Sequence, residues 1–151
     1  MHRHGYQGSK FNRKTDQRGA LIKGLAEALI VNESIETTFT KAKAVVPYTE
    51  KLVTRAKSGK LEDRRLIMAR LQTKGSANKL VDEIAPKLTG RTSGHFRIER
   101  TSLRRGDNAQ MAKIMFVDNL SEAPVKSVET KTTDKETLAK EAKPTTKKAS
   151  K

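Results

Sequence analysis

A chain of 151 residues with no Cys, no Trp, 34% hydrophobic and 4% aromatic residues has room for one modest core of Leu, Ile, Val and Ala, and not for two. Without Cys there is no disulfide framework, thiol nucleophile or thiolate zinc site, which fits a reducing compartment. A formal net charge of +15, from 32 Lys and Arg against 17 Asp and Glu, calls for a polyanionic partner, and nucleic acid leads because no segment joins a basic helical face to the bulky aromatics that a membrane surface needs.

In chain order, residues 1–14 are basic and Gly-containing, without apolar periodicity, and read as an extended arm. They lack the apolar centre of a secretory signal, and no later run approaches the ~20 apolar residues that span a bilayer. A soluble intracellular protein is expected, with no membrane partner. A helix is expected from Thr15, a plausible N-cap, because Leu21, Leu25 and Leu29 form one stripe and Ile22, Ala26 and Ile30 the next. Ser34 to Phe39 is β-branched and partly alternating, as in a short strand. A second helix is predicted from about Thr40 to Lys57, with Pro47 kinking it or delaying its start and Ser58-Gly59 stopping it.

Glu62 and Asp63 suit the N-terminus of a third helix that ends at Thr73-Lys74-Gly75. Ser76 is then a candidate cap for a fourth, which turns Leu80, Val81, Ile84 and Leu88 inward and ends at Pro86 and Gly90. Past Arg91 the hydrophobic period changes from 3.6 to 2. Phe96, Ile98 and Arg100 alternate with Arg97, Glu99 and Thr101, and a second strand-like run covers Ala112 to Val117. Between them lies LRRGDNA, Leu103 to Ala109, whose Gly, Asp and Asn suit the turn of an antiparallel hairpin. The fold class is therefore α+β: about four helices on a small sheet that includes a C-terminal hairpin. The organisation is an arm (1–14), a single domain (15–120) and a Lys/Thr-rich tail (121–151) too poor in apolar residues to order itself.

Residues 1–120 hold 24 basic and 12 acidic residues and all 12 arginines, so recognition belongs to the body, since Arg makes bidentate phosphate contacts where Lys is a hydrated point charge. The candidate RNA contacts are Arg3, Lys10, Arg13, Lys14, Arg18 and Lys23 around the arm-to-helix junction, and Arg91, His95, Arg97, Arg100, Arg104 and Arg105 around the hairpin. Arg64, Arg65, Arg70 and Lys74 read equally as a third basic surface or as the wet face of a helix. His2 and His4 on an arm without carboxylate or thiolate partners make a poor metal site. His95 has no nucleophile motif beside it, and no phosphate-cradling Gly motif or catalytic carboxylate pair is present. No catalytic residue, metal, cofactor or small-molecule substrate is expected. Arg105-Gly106-Asp107 would suggest cell adhesion in a secreted chain, which this composition does not support.

Several spaced words carry a resemblance: HRH near the start, Lys10-Phe11-Asn12-Arg13, Gln17-Arg18-Gly19-Ala20-Leu21, Ile35-Glu36-Thr37-Thr38, Glu50-Lys51-Leu52-Val53-Thr54, Gly94-His95-Phe96-Arg97-Ile98 and Arg104-Arg105-Gly106-Asp107-Asn108-Ala109. In this order, over nearly all of residues 1–118, the chain resembles the bacterial large-subunit ribosomal protein L-seventeen family. The resemblance implies an α+β domain that binds large-subunit rRNA as a structural component, in the cytoplasm or an organelle, with neighbouring large-subunit proteins near the peptide exit. Its pattern usually has basic residues at Val46 and Pro47, His at Gln17, Gly at Ser102 and Pro at Gln110. A free nucleic-acid-binding protein, nucleoid or regulatory, is the alternative, although no helix-turn-helix or zinc-finger pattern is present.

Overall fold

The structure, a computed structural model, describes residues 8–88 and 90–120. The readings placed on Arg3, His2, His4 and the 121–151 tail lie outside the described residues. Helix α1, Thr15–Asn32, runs into strand β1, Ser34–Thr38, and helix α2, Phe39–Ser58, follows without a loop. Helix α3, Leu61–Arg70, precedes one helical run made of α4, Lys74–Asn78, a π-helical stretch, Lys79–Ile84, and α5, Ala85–Lys87. Strands β2, Phe96–Leu103, and β3, Gln110–Phe116, complete the chain order.

The hairpin strand β3 is central: the sheet order is β1-β3-β2, and both pairings are antiparallel. Period-2 alternation then divides the sheet into two faces. Ile35, Ile114 and Ile98 lie side by side in one cross-strand row, with Ala112 and Phe116 also turned inward. Phe96 packs against Phe116, with ring centroids 4.6 Å apart and the planes tilted by 45°. Glu36, Lys113 and Glu99 form the corresponding outward row and are exposed. Helix α2 contacts all three strands and buries Ala42, Val45, Thr49, Leu52, Val53 and Ala56 along one face. Ala26, Leu29 and Ile30 of α1 and Ile67, Leu80, Ile84 and Leu88 join the same core.

The helix ends explain themselves locally. Glu33, left-handed at φ 62°, ends α1, and Lys79 reaches back to donate to the Val31 carbonyl at 2.7 Å while pairing with Glu33 at 3.3 Å. A cation there satisfies an orphan carbonyl and complements the negative end of the helix dipole. Gly59 takes the left-handed position after α2, φ 67°, which costs a glycine no Cβ clash.

Four expectations shift. Lys14, not Thr15, occupies the cap position of α1, without a side-chain cap bond. Pro47 lies inside α2, so of the two alternatives the delayed start does not occur; extensive burial of that helix outweighs the missing N–H, a loss of about 3 kcal/mol in an isolated helix. Thr73 rather than Ser76 caps the fourth helical run, accepting from the Ser76 N–H at 3.4 Å. Pro86 does not end that run but sits in its last turn. The preceding turn is widened, with the Ala85 N–H reaching the Leu80 carbonyl, which accommodates a ring that would otherwise meet the carbonyl four residues back.

Candidate nucleic-acid interface

The described part of the arm is not extended throughout. Phe11 and Asn12 are both left-handed, at φ 54° and 51°, and the Arg13 N–H donates to the Lys10 carbonyl at 3.2 Å, which closes a tight turn with two positive-φ central residues. The Arg13 guanidinium also donates to the Phe11 carbonyl at 3.3 Å. This turn delivers Lys10, Arg13 and Lys14 to the N-terminal end of α1, and the Arg18 N–H opens the helix by bonding the Lys14 carbonyl at 2.9 Å. Unbonded N–H groups at a helix start favour anions, so basic side chains clustered beside them raise the attraction for phosphate. Lys23 is half-buried, two and a half turns further on.

The hairpin sorts its arginines into different roles. Arg104 is clamped by Asp107, donating from Nε to Oδ1 at 3.0 Å and from Nη2 to Oδ2. That bidentate contact, helped by the Ala109 N–H, holds the exposed Asp107 carboxyl down at about 2 and raises the Arg104 guanidinium above its ordinary value. The tip is further closed by Asn108 N–H to the Arg104 carbonyl and Arg104 N–H to the Ala109 carbonyl, both at 3.0 Å, with Gly106 at φ 100° and Asn108 at φ 53°. Arg104 is thus a brace of the loop. Arg105 is exposed and has no partner among the described residues, which leaves it as the outward cation of the tip. The carboxylate of the Arg-Gly-Asp tripeptide is already occupied within its own loop.

Arg100 lies over the Phe39 ring, 4.5 Å from its centroid, with Lys43 on the same ring at 5.6 Å. An aromatic face under a guanidinium fixes its plane and lets it stack or bond outward. Phe39 and Lys43 are not among the contacts expected from sequence. The available signal was an aromatic at the first position of α2 followed one turn later by a lysine, and only the β1–β3–β2 order brings Arg100 to it.

Arg91 and Arg97 have protein partners. Arg91 donates from Nε to Asp118 at 3.0 Å, and its carbonyl accepts from Lys57 Nζ, so it ties the segment before β2 to α2 and to the end of β3. Arg97 stands on the outward sheet face, 3.9 Å from Glu99. Of the third basic set, Arg64 is bound to Asn78 at 3.1 Å and to Asp82 at 2.5 Å, bridging α3 to the fourth helical run. Arg65 and Lys74 remain exposed.

His95 departs from the sequence expectation of an RNA contact. It is 0% exposed, its backbone N–H donates to Glu50 at 2.8 Å, and neither ring nitrogen has a partner. An enclosed imidazole cannot touch a phosphate, and its residue acts instead in anchoring the start of β2. Burial, then the charge of Lys57, push its pKa below the ordinary 6.5, with Glu50 and Asp118 opposing and Arg91 reinforcing the shift. A base with a depressed folded-state pKa leaves the unfolded chain as the better proton binder, so folding stability rises with pH across that window. Urea midpoints should therefore hold above about pH 6.5 and fall as the pH drops toward the lowered folded value, and His95→Leu should flatten that segment of the profile.

Among the described residues no three His, Asp or Glu side chains gather as metal ligands, and no helix is long and apolar enough to cross a membrane. The family model described as ribosomal protein L17 matches residues 21–117. The chain belongs to that family. Relatives from Campylobacter concisus, Campylobacter lari and Wolinella succinogenes, each called large ribosomal subunit protein bL17, are 49%, 49% and 48% identical to it. Each alignment spans 116 residues, 77% of this chain and 97%, 97% and 98% of the relatives. Gln110 donates its side-chain amide to the Thr101 carbonyl at 2.7 Å and the Met111 carbonyl at 3.0 Å. This covers the irregular register between Arg100 and Leu103.

Proposed function

We propose that this protein is a structural constituent of the large ribosomal subunit and binds large-subunit rRNA through two basic sites, the arm-to-helix junction and the hairpin tip. The observation that carries the proposal is the near-complete, 49% identical match to a large ribosomal subunit protein. The charge of the chain supports it, because 24 basic residues against 12 acidic over residues 1–120 supply the counterion-releasing contacts on which RNA affinity rests. Lys10, Arg13, Lys14 and Arg18 act at the junction and Arg105 at the tip, joined by Arg100 on Phe39, and Arg104 supports the tip. Arg3, outside the described residues, is a further proposed RNA contact, and Lys23 and Arg91 supply flanking positive charge. These contacts position the protein on folded RNA, and the shape of the RNA makes the selection. The protein resides on cytoplasmic ribosomes, next to other large-subunit proteins in the peptide exit region, and has no catalytic role.

Gradient sedimentation of a lysate at moderate salt with the chain tagged is the direct test. Co-migration with large subunits, abolished by ribonuclease, is the expected result. A peak at the top of the gradient, or recovery on DNA after ribonuclease treatment, would remove the ribosomal assignment.

A further inference from the structure

We infer that the outward face of the β-sheet is a protein-docking surface, turned toward a neighbouring protein of the assembled particle and away from RNA. The inference rests on the ribosomal reading above and assigns one face of the molecule within it. On the inward side Ile35, Ile114, Ile98 and Ala112 belong to the core that α1 and α2 complete. On the other face Glu36, Arg97, Glu99 and Lys113 are exposed.

The chemistry of that face differs from the rest of the chain in two respects. Its charges cancel: Glu36, Lys113 and Glu99 alternate in sign along one cross-strand row, and Arg97 in the next row lies 3.9 Å from Glu99. Thr101 donates to Glu36 at 2.7 Å and links the two edge strands over β3. A phosphate polymer gains little from a surface with two cations and two carboxylates, when the same domain carries an excess of cations elsewhere. It also lacks the aromatic side chains with which a sheet face stacks unpaired bases. Phe96 and Phe116 pack against each other, Phe39 lies under Arg100, and the outward positions of β3 on either side of Lys113 are taken by Met111 and Met115, both half-buried.

Two methionines flanking a charged row that Arg97 brings to neutrality suit a protein partner. Thioether side chains adapt to an apolar neighbour, and the acid–base–acid row offers complementary charge sites that fix register more than they add affinity. The fitting partner is a protein surface with an apolar centre that contacts Met111 and Met115 and basic side chains that reach Glu36 and Glu99. Arg97 belongs to this face, which removes it from the set of RNA contacts expected from sequence.

The chain has no native Cys, so single-cysteine variants give one attachment point each for a short benzophenone photocrosslinker. Lys113→Cys and Met115→Cys test the sheet face, and Arg105→Cys reports the hairpin tip, all in assembled large subunits. The expected result is a ribonuclease-resistant protein adduct from Lys113→Cys and Met115→Cys, and an rRNA adduct from Arg105→Cys. Adducts to rRNA from the sheet positions, or no adduct from either of them, would overturn the docking surface. Failure of the ribosomal reading has a separate signature, since the labelled chains would then be missing from large subunits altogether.

Discussion

Affinity for isolated large-subunit rRNA is expected to fall by about 10³–10⁵-fold between 50 and 200 mM salt if roughly six to ten phosphates are neutralised. On the proposed reading six of the contacts come from described cations at the junction and hairpin: Lys10, Arg13, Lys14, Arg18, Arg100 and Arg105. The slope also separates the two arginines of the tip. Arg105→Ala removes a cation without a protein partner and should lower the slope by about 0.7–0.9 log units per log unit of salt. Arg104→Ala removes a charge that Asp107 already balances, so the slope should move little while amide exchange at residues 104–109 quickens. Filter binding of the variants over a salt series measures both. Equal slopes for Arg104→Ala and Arg105→Ala would show that the brace and the outward cation are not distinct, and a flat wild-type line would contradict the phosphate mechanism.

Ile114→Ala should lower the unfolding free energy by about 2–5 kcal/mol, the range for truncating a large buried aliphatic side chain where the site cannot collapse. Ile114 is 0% exposed, at the middle of the central strand, with Ile35 on one side and Ile98 on the other. Both neighbours are held by backbone pairing, so neither can move far into the space. Lys113 is one residue away on the opposite face, exposed, and Lys113→Ala should change stability by no more than about 0.5 kcal/mol. Urea unfolding of the two variants compares adjacent positions on opposite faces of one strand; similar midpoints would refute the assigned register.

Local patterns gave the elements that local interactions decide. The alternation from Phe96 to Thr101 predicts which side chains share a face, and Ile98 and Glu99 lie on the opposed faces that it implies. The stripes in residues 21–30 likewise anticipate the burial of Ala26, Leu29 and Ile30. What remained hidden depends on partners distant in sequence. Pro47 is tolerated because α2 is packed against all three strands, which no single-helix propensity contains. Arg104 and Arg105 are equivalent as letters, and only the turn made by Gly106 and Asn108 turns one back to Asp107. His95 is polar by type and buried by position, because the segment between Arg91 and Phe96 is drawn onto Glu50 and Lys57 of α2.

The strand order also sets a timetable for synthesis. Ser34 pairs with Met115, about half the chain away, so β1 has no sheet to join until the C-terminal hairpin has left the ribosome that makes it. Loop closure over such a span is slow compared with helix formation. Each newly made copy therefore presents its basic arm and helices before its sheet exists. A chain of this charge would meet nucleic acid while still incompletely folded, and RNA that binds only the folded domain would stabilise it by mass action.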